Sequence, residues 1–301
     1  MIRTWVTAFR LRTLPLALAS VLMGGILAAA EGFRNDVVFL MCCLTTCFLQ
    51  ILSNLANDYG DAIHGADNAV RVGPRRAVES GLISAAAMKT AVALTAFLAF
   101  ISGAATLLLA FRDQWLSIMI WLVIGLACIG AAITYTAGRK PYGYLGLGDV
   151  SVVLFFGLVA VCGTVFVISG EFFTAHLLPA LSCGMLAAGV LNINNVRDMQ
   201  SDLAAGKYSI PVRIGRKAAS VYHSVLLYGA VLLSLLFITL RPDARFQDFL
   251  FLLSLPFLYR IDSAVRHLPN AQLDPWLKRM SLTTLLFVVL FGLGLLPPWH
   301  F

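Results

Sequence analysis

Apolar residues fall into nine runs separated by short polar segments, at roughly 14–30, 37–57, 88–110, 115–137, 150–170, 176–196, 218–239, 246–260 and 281–297. Most reach the ~20 residues that a helix needs to cross a bilayer. The run at 246–260 is short and carries Pro256, so it is the weakest of the nine. The first run, Leu14 to Ala30, reads as a first span, with no cleavage-site pattern after it. The pattern predicts an all-α membrane protein of about nine transmembrane helices, forming a single integral-membrane domain over residues 1–301.

Composition agrees. Of 301 residues, 59% are hydrophobic and 12% charged, against about 25% charged in soluble domains. The net charge of +7 invites a nucleic-acid reading, but the distribution of the charge excludes it. Numbering the loops alternately, eighteen of the 22 Lys and Arg fall on one side and four (Arg34, Arg112, Arg241, Arg245) on the other. The positive-inside rule then places the N-terminus inside, the C-terminus outside and the basic loops in the cytoplasm of a multi-pass cell (inner) membrane protein. Membrane lipid is an expected partner and nucleic acid is not. The six Cys all sit in apolar runs without metal-type pairing and read as small hydrophobes.

Two stretches close apolar runs with Asn and Asp, where a membrane helix should have neither. One is Asn54-Leu55-Ala56-Asn57-Asp58-Tyr59-Gly60-Asp61, the other Asn194-Asn195-Val196-Arg197-Asp198-Met199-Gln200-Ser201-Asp202. The Asp spacings of three and four put each pair of carboxylates on one helical face. Each stretch leads to a basic element with a glycine, Arg71-Val72-Gly73 and Arg213-Ile214-Gly215. This makes two pseudo-repeated Asp-rich motifs, 54–76 and 194–217. Clustered carboxylates repel unless a cation lies between them. Mg²⁺ takes oxygen ligands and commonly bridges carboxylates to a substrate's phosphates. The reading is therefore a diphosphate site with Asp58, Asp61, Asp198 and Asp202 as metal ligands, opening to the cytoplasm. Ionisable groups this close to a bilayer are costly and usually functional.

Other segments admit two readings. Arg10 and Arg12, just before the first span, suit interfacial anchors or phosphate contacts. Arg71, Arg75 and Arg76 suit a diphosphate clamp or anionic lipid. His64 either touches the site or is solvated. The loop from Tyr135 to Asp149, with Arg139, Lys140 and Pro141-Tyr142-Gly143-Tyr144, is an interfacial Tyr belt or the wall of an aromatic, cation-shielding pocket.

These motifs, with Leu11-Arg12-Thr13-Leu14-Pro15, Leu49-Gln50-Ile51-Leu52-Ser53 and Ala132-Ile133-Thr134-Tyr135-Thr136, resemble the UbiA superfamily of intramembrane aromatic prenyltransferases over essentially the whole chain. Within it, the chain looks like the branch acting on 1,4-dihydroxy-2-naphthoate. The resemblance implies nine helices around a central cavity. It implies Mg²⁺-dependent transfer from polyprenyl diphosphate to 1,4-dihydroxy-2-naphthoate with loss of CO₂, giving demethylmenaquinone in menaquinone biosynthesis. Asp58, Asp61, Asp198 and Asp202 match its metal motifs, and Asn54 and Asn195 fall on its supporting positions. Asn57, Arg12, Arg71, Arg139 and Lys207 are candidate substrate contacts, and Tyr135 and Tyr142 candidate cation stabilisers. The chain departs from the pattern at His64-Gly65, which displaces the next acid to Asp67. Another phenolic acceptor such as 4-hydroxybenzoate is the nearest alternative. A secondary transporter is a further one, but its polar residues would lie at midplane and not at one end of the helices.

Overall fold

The computed structural model describes residues 2–64 and 76–296. Its helices are α1 (Ile2–Phe9), α2 (Leu14–Ala30), α3 (Asp36–Ile63), α4 (Ala85–Phe111), α5 (Trp115–Thr134) and α6 (Gly148–Ser169). They continue with α7 (Leu177–Arg197), α8 (Met199–Ala204), α9 (Ile210–Thr239), α10 (Leu255–His267) and α11 (Asp274–Leu295). Among the described residues there is no strand. Eight helical stretches among the described residues are long and apolar enough to cross a membrane, the first running through α1 and α2.

The weak run at 246–260 accounts for the difference between eight and nine. It folds as a 3₁₀ segment, Phe246–Ser254, followed by α10. Pro256 sits in the first turn of α10, where it cannot donate back to the preceding turn. Together the two pieces extend about 37 Å by their rises per residue, enough for a ~30 Å hydrocarbon layer.

Other boundaries shift for local reasons. α3 runs six residues past the apolar run, so Asp58 and Asp61 belong to its last two turns. α9 begins at Ile210 with Pro211 in its first turn, and is kinked at Gly215, whose φ of 81° few other residues adopt. α6 is π-helical from Val153 to Cys162, a widened turn common at functional sites.

In lipid, helices associate through close backbone approach more than through water exclusion. α6 meets α7 in this way: a Cβ on Gly157 would lie 2.6 Å from the Ala180 carbonyl oxygen, and Gly184 faces it. α7 is in turn buried against α9 and α11, and this half holds the largest buried cluster, including Phe251, Phe287 and Phe291. α3, α4 and α5 form the other half. A cavity of about 420 Å³ lies between the two.

Candidate active site

The two Asp motifs meet at one mouth of that cavity. Asn54, Asn57, Asp61, Arg76, Asn194 and Lys207 line this end, and the walls beyond are mostly apolar, with Thr45, Thr46, Thr106 and Thr164 among them. All four motif carboxylates are at least 95% buried, and each has a partner from the chain itself. Asp58 accepts from the backbone N–H groups of Ala77 (3.2 Å) and Val78 (3.4 Å), and so anchors the turn that leads into α4. Asp61 pairs with Arg76 and accepts from the Tyr144 hydroxyl at 2.9 Å. Arg76 also donates to the Asn57 carbonyl at 2.6 Å.

In the second motif α7 ends at Arg197, and the four-residue spacing survives because the Asp202 N–H donates to the Asp198 carbonyl at 2.8 Å. Arg197 grips Asp198 with two hydrogen bonds, at 2.8 and 2.6 Å, and reaches Asp274 at the start of α11 at 2.6 Å. Asp202 lies 3.3 Å from the Lys207 ammonium, while its Oδ2 is buried without a partner. Burial pushes the Asp202 carboxyl up to about 6, against the pull of Lys207. Burial alone would lower Lys207, but Asp202 and Asp61 together raise it, so it stays charged. Lys207 therefore stands between the motifs, with the Tyr144 ring 5.9 Å from its nitrogen.

The loop 141–148 closes over this mouth. The Tyr208 N–H donates to the Tyr144 carbonyl at 3.0 Å, and Arg213 donates to the Leu145 carbonyl at 3.0 Å. Tyr135 and Tyr142 form an edge-to-face pair with centroids 5.4 Å apart, and both line the cavity. The Tyr142 hydroxyl is spent on the Ala131 carbonyl and Ser151.

Several sequence expectations are placed differently. Asn54 lines the cavity, but its amide donates to the Phe9 carbonyl (2.9 Å) and Thr13 (3.0 Å), fastening the N-terminal elbow to α3. Arg12 pairs with Asp274 at 3.4 Å at the cavity rim. Arg139 lies in an exposed turn away from the cavity lining, because Gly138 turns the chain outward with φ 105°. Asn195 is buried behind the lining with an unpartnered Oδ1. His64 bonds the Gly60 carbonyl at 2.8 Å and ends α3. Arg71 and Asp67 lie outside the described residues. Tyr144, Thr136 and Asp274 were missed as supports. The Pro-Tyr-Gly-Tyr loop did signal Tyr144. Nothing in the local pattern around Asp274 ties it to a motif 77 residues away.

A divalent ion suits this donor set in chemistry: four carboxylates and two unpartnered oxygens, Asp202 Oδ2 and Asn195 Oδ1, are all hard oxygen ligands. No three acidic, His or Cys side chains converge on one point among the described residues. Arg76, Arg197 and Lys207 hold the carboxylates instead.

Residues 17–282 match the UbiA prenyltransferase family. The chain belongs to that family. It is 42% identical over 300 residues to the 1,4-dihydroxy-2-naphthoate octaprenyltransferase of Haemophilus influenzae, covering 98% of this chain and 96% of the relative. The enzyme of the same name from Escherichia coli is 41% identical, covering 99% and 96%. Among solved structures, a UbiA homologue from Aeropyrum pernix aligns with a TM-score of 0.64 at 18% identity, covering 98% of both chains. A homologue from Archaeoglobus fulgidus bound to DMAPP and Mg²⁺ aligns at 0.60 and 20% identity, covering 95% and 98%. These two likenesses show the shared fold.

Proposed function

We propose that this family member transfers a polyprenyl chain from its diphosphate to 1,4-dihydroxy-2-naphthoate, with loss of CO₂, as an Mg²⁺-dependent step of menaquinone biosynthesis. Two relatives above 40% identity, each matched over 96% of its length, are named 1,4-dihydroxy-2-naphthoate octaprenyltransferase. The observation that carries the reading is the meeting of Asp61, Arg76 and Lys207 at one mouth of a mostly apolar cavity. A prenyl diphosphate has this shape: a polyanionic head and an apolar tail. The homologue bound to DMAPP and Mg²⁺ supports the choice of ion.

Asp58, Asp61, Asp198 and Asp202 would hold Mg²⁺, which when bound neutralises the diphosphate and improves it as a leaving group. Arg76 and Lys207 supply charged donors to the diphosphate oxygens. Tyr135 and Tyr142 present ring faces to the allylic carbon as positive charge develops there. The apolar walls exclude water that would quench the cation. The ring carbon that bears the carboxylate forms the new C–C bond. The C–CO₂⁻ electron pair then returns to the ring as CO₂ leaves, giving demethylmenaquinone at the quinol level.

The excess of Lys and Arg on one side supports a cytoplasm-facing site in the cell membrane, with the N-terminus inside. The test is purified protein with Mg²⁺, a polyprenyl diphosphate and 1,4-dihydroxy-2-naphthoate, following CO₂ and prenylated product. Product that disappears with EDTA is expected. Product formed only with 4-hydroxybenzoate would move the acceptor, and no product with any aromatic acceptor would overturn the reading.

A further inference from the structure

On α3 the polar residues that line the cavity include a row at helical spacing: Gln50, Asn54, Asn57 and Asp61. Eleven residues separate the ends of this row, about 16 Å of helix. Asp61 stands at the end with Arg76 and Lys207. Gln50 stands at the other, beside the N-terminal elbow, whose Arg10, Arg12 and Thr13 also line the cavity.

The hydrogen bonds at this end fix which way the Gln50 amide points. Thr13 spends its hydroxyl proton on the Arg10 carbonyl at 2.9 Å, so toward its other neighbours it can only accept. The Asn54 amide nitrogen donates to it at 3.0 Å and to the Phe9 carbonyl at 2.9 Å, which leaves Asn54 Oδ1 as an acceptor. Gln50 Nε2 donates to that Oδ1 at 3.4 Å and to the Thr13 oxygen at 3.2 Å. A flipped Gln50 amide would set its oxygen against two acceptors. Oε1 is therefore held on the opposite edge of the amide. It has no partner among the described residues, although Gln50 is only 9% exposed. A buried acceptor left unpaired costs stability, and in a cavity wall its partner can come from what fills the cavity.

We infer that Gln50 is the residue that selects the aromatic acceptor, its Oε1 accepting from the 4-hydroxyl of 1,4-dihydroxy-2-naphthoate. This rests on the proposed activity. The 1-hydroxyl lies ortho to the carboxylate and donates to it within the molecule, so the 4-hydroxyl is the donor left for the protein. It is meta to the carbon that bears the carboxylate and adds little to that carbon's nucleophilicity, so recognising it is a matter of binding. With the diphosphate at the Asp61 end and the ring at the Gln50 end, the two substrates meet at the allylic carbon between them. Arg10 in the elbow suits the negative charge of the ring's carboxylate.

The test measures, at saturating donor, the KM for 1,4-dihydroxy-2-naphthoate and the competitive Ki of 1-hydroxy-2-naphthoate, which lacks only the 4-hydroxyl. Neither constant depends on the fraction of enzyme that is folded. Wild-type protein should hold the analogue at least tenfold more weakly, because a site built to bond a hydroxyl penalises its loss; equal constants overturn the inference. Gln50→Leu should raise the KM at least tenfold and change the Ki less than threefold. A ratio of the two constants within threefold of wild type overturns the inference, whether both rise together, as they would if Gln50 only held the elbow, or neither moves. If wild-type protein prenylates no 1,4-dihydroxy-2-naphthoate, the proposed function fails, and this inference with it.

Discussion

Gly60 lies between Asp58 and Asp61 on α3, where the helix touches the turn after α5. A Cβ there would sit 2.5 Å from the carbonyl carbon and oxygen of Thr136 and 2.7 Å from its Oγ1. Ordinary contact begins near 3.4 Å, so Gly60→Ala must separate the two backbones by about 0.9 Å. The movement strains the Thr136 hydroxyl, which donates at 3.0 Å to both the Ala56 carbonyl and the Asn57 side chain. Overpacking costs about 1–3 kcal/mol, and Ala regains about 1 kcal/mol of helix propensity over Gly. The net loss of stability is then about 0–2 kcal/mol. Activity is far more sensitive, because a ~1 Å misplacement of reacting groups costs about 10²-fold. Prenylated product and CO₂ would be followed at saturating Mg²⁺, beside thermal unfolding in detergent. Gly130→Ala on α5 is the control, since a Cβ there meets nothing within 4 Å. Gly60→Ala with turnover within threefold of the control would refute the claim that the α3–Thr136 contact sets the first motif.

Three further outcomes follow from the same geometry. Arg76→Gln leaves Asp61 buried with Tyr144 but without its closest cation; a loss of about 3 kcal/mol is expected, largely relieved in the double variant with Asp61→Asn when unfolding is measured by denaturant. Asp274→Asn unties Arg197 and Arg12 from α11 and should raise the Mg²⁺ concentration for half-activity about 10-fold or more, as loss of an outer partner does, with donor preference unchanged. Asp202, pushed up to about 6 by burial, keeps its proton to a higher pH than an ordinary carboxyl; the Mg²⁺ requirement should therefore rise as pH falls through 6, checked by Mg²⁺ titrations between pH 5 and 8.

The spans and motifs were legible because both are one-dimensional signals. Apolar runs located all eight candidate spans among the described residues, and the doubled Asn/Asp pattern marked residues that line one end of the cavity, Asn54, Asn57, Asp61 and Asn194. The broken crossing at 246–267 was visible through Pro256, but the 3₁₀ geometry before it was not, since it depends on packing against α11. Residue roles were read less well wherever a side chain has a long-range partner. Asn54 has the composition of a phosphate contact, yet it holds the N-terminal elbow, because Phe9 and Thr13 fold over it. Arg139 has the right charge, and the backbone of Gly138 points it away. Arg76 was one of three equivalent arginines in its loop; it is the one that lies within the described residues, and it contacts Asp61.

The pairing of the carboxylates has a consequence for binding. Asp61, Asp198 and Asp202 are matched with Arg76, Arg197 and Lys207, and Asp58 with two backbone donors. Without ligand, three of the four motif carboxylates are thus matched by a cation, as buried charge requires. A diphosphate arriving alone gains Arg76 and Lys207 only by taking them from Asp61 and Asp202, and those carboxylates then face its own negative charge in a site of low dielectric. With Mg²⁺ the exchange balances, because the carboxylates gain a cation as they lose one. Prenyl diphosphate should therefore bind at least tenfold more tightly with Mg²⁺ than in EDTA, measured calorimetrically with a non-hydrolysable thio-diphosphate analogue. Replacing Asp61 with Asn should shrink that difference, because one of the charges in the exchange is gone. Equal affinity with and without Mg²⁺ would mean that the carboxylates do not take part in binding the diphosphate, and the metal assignment of both motifs would fall with it.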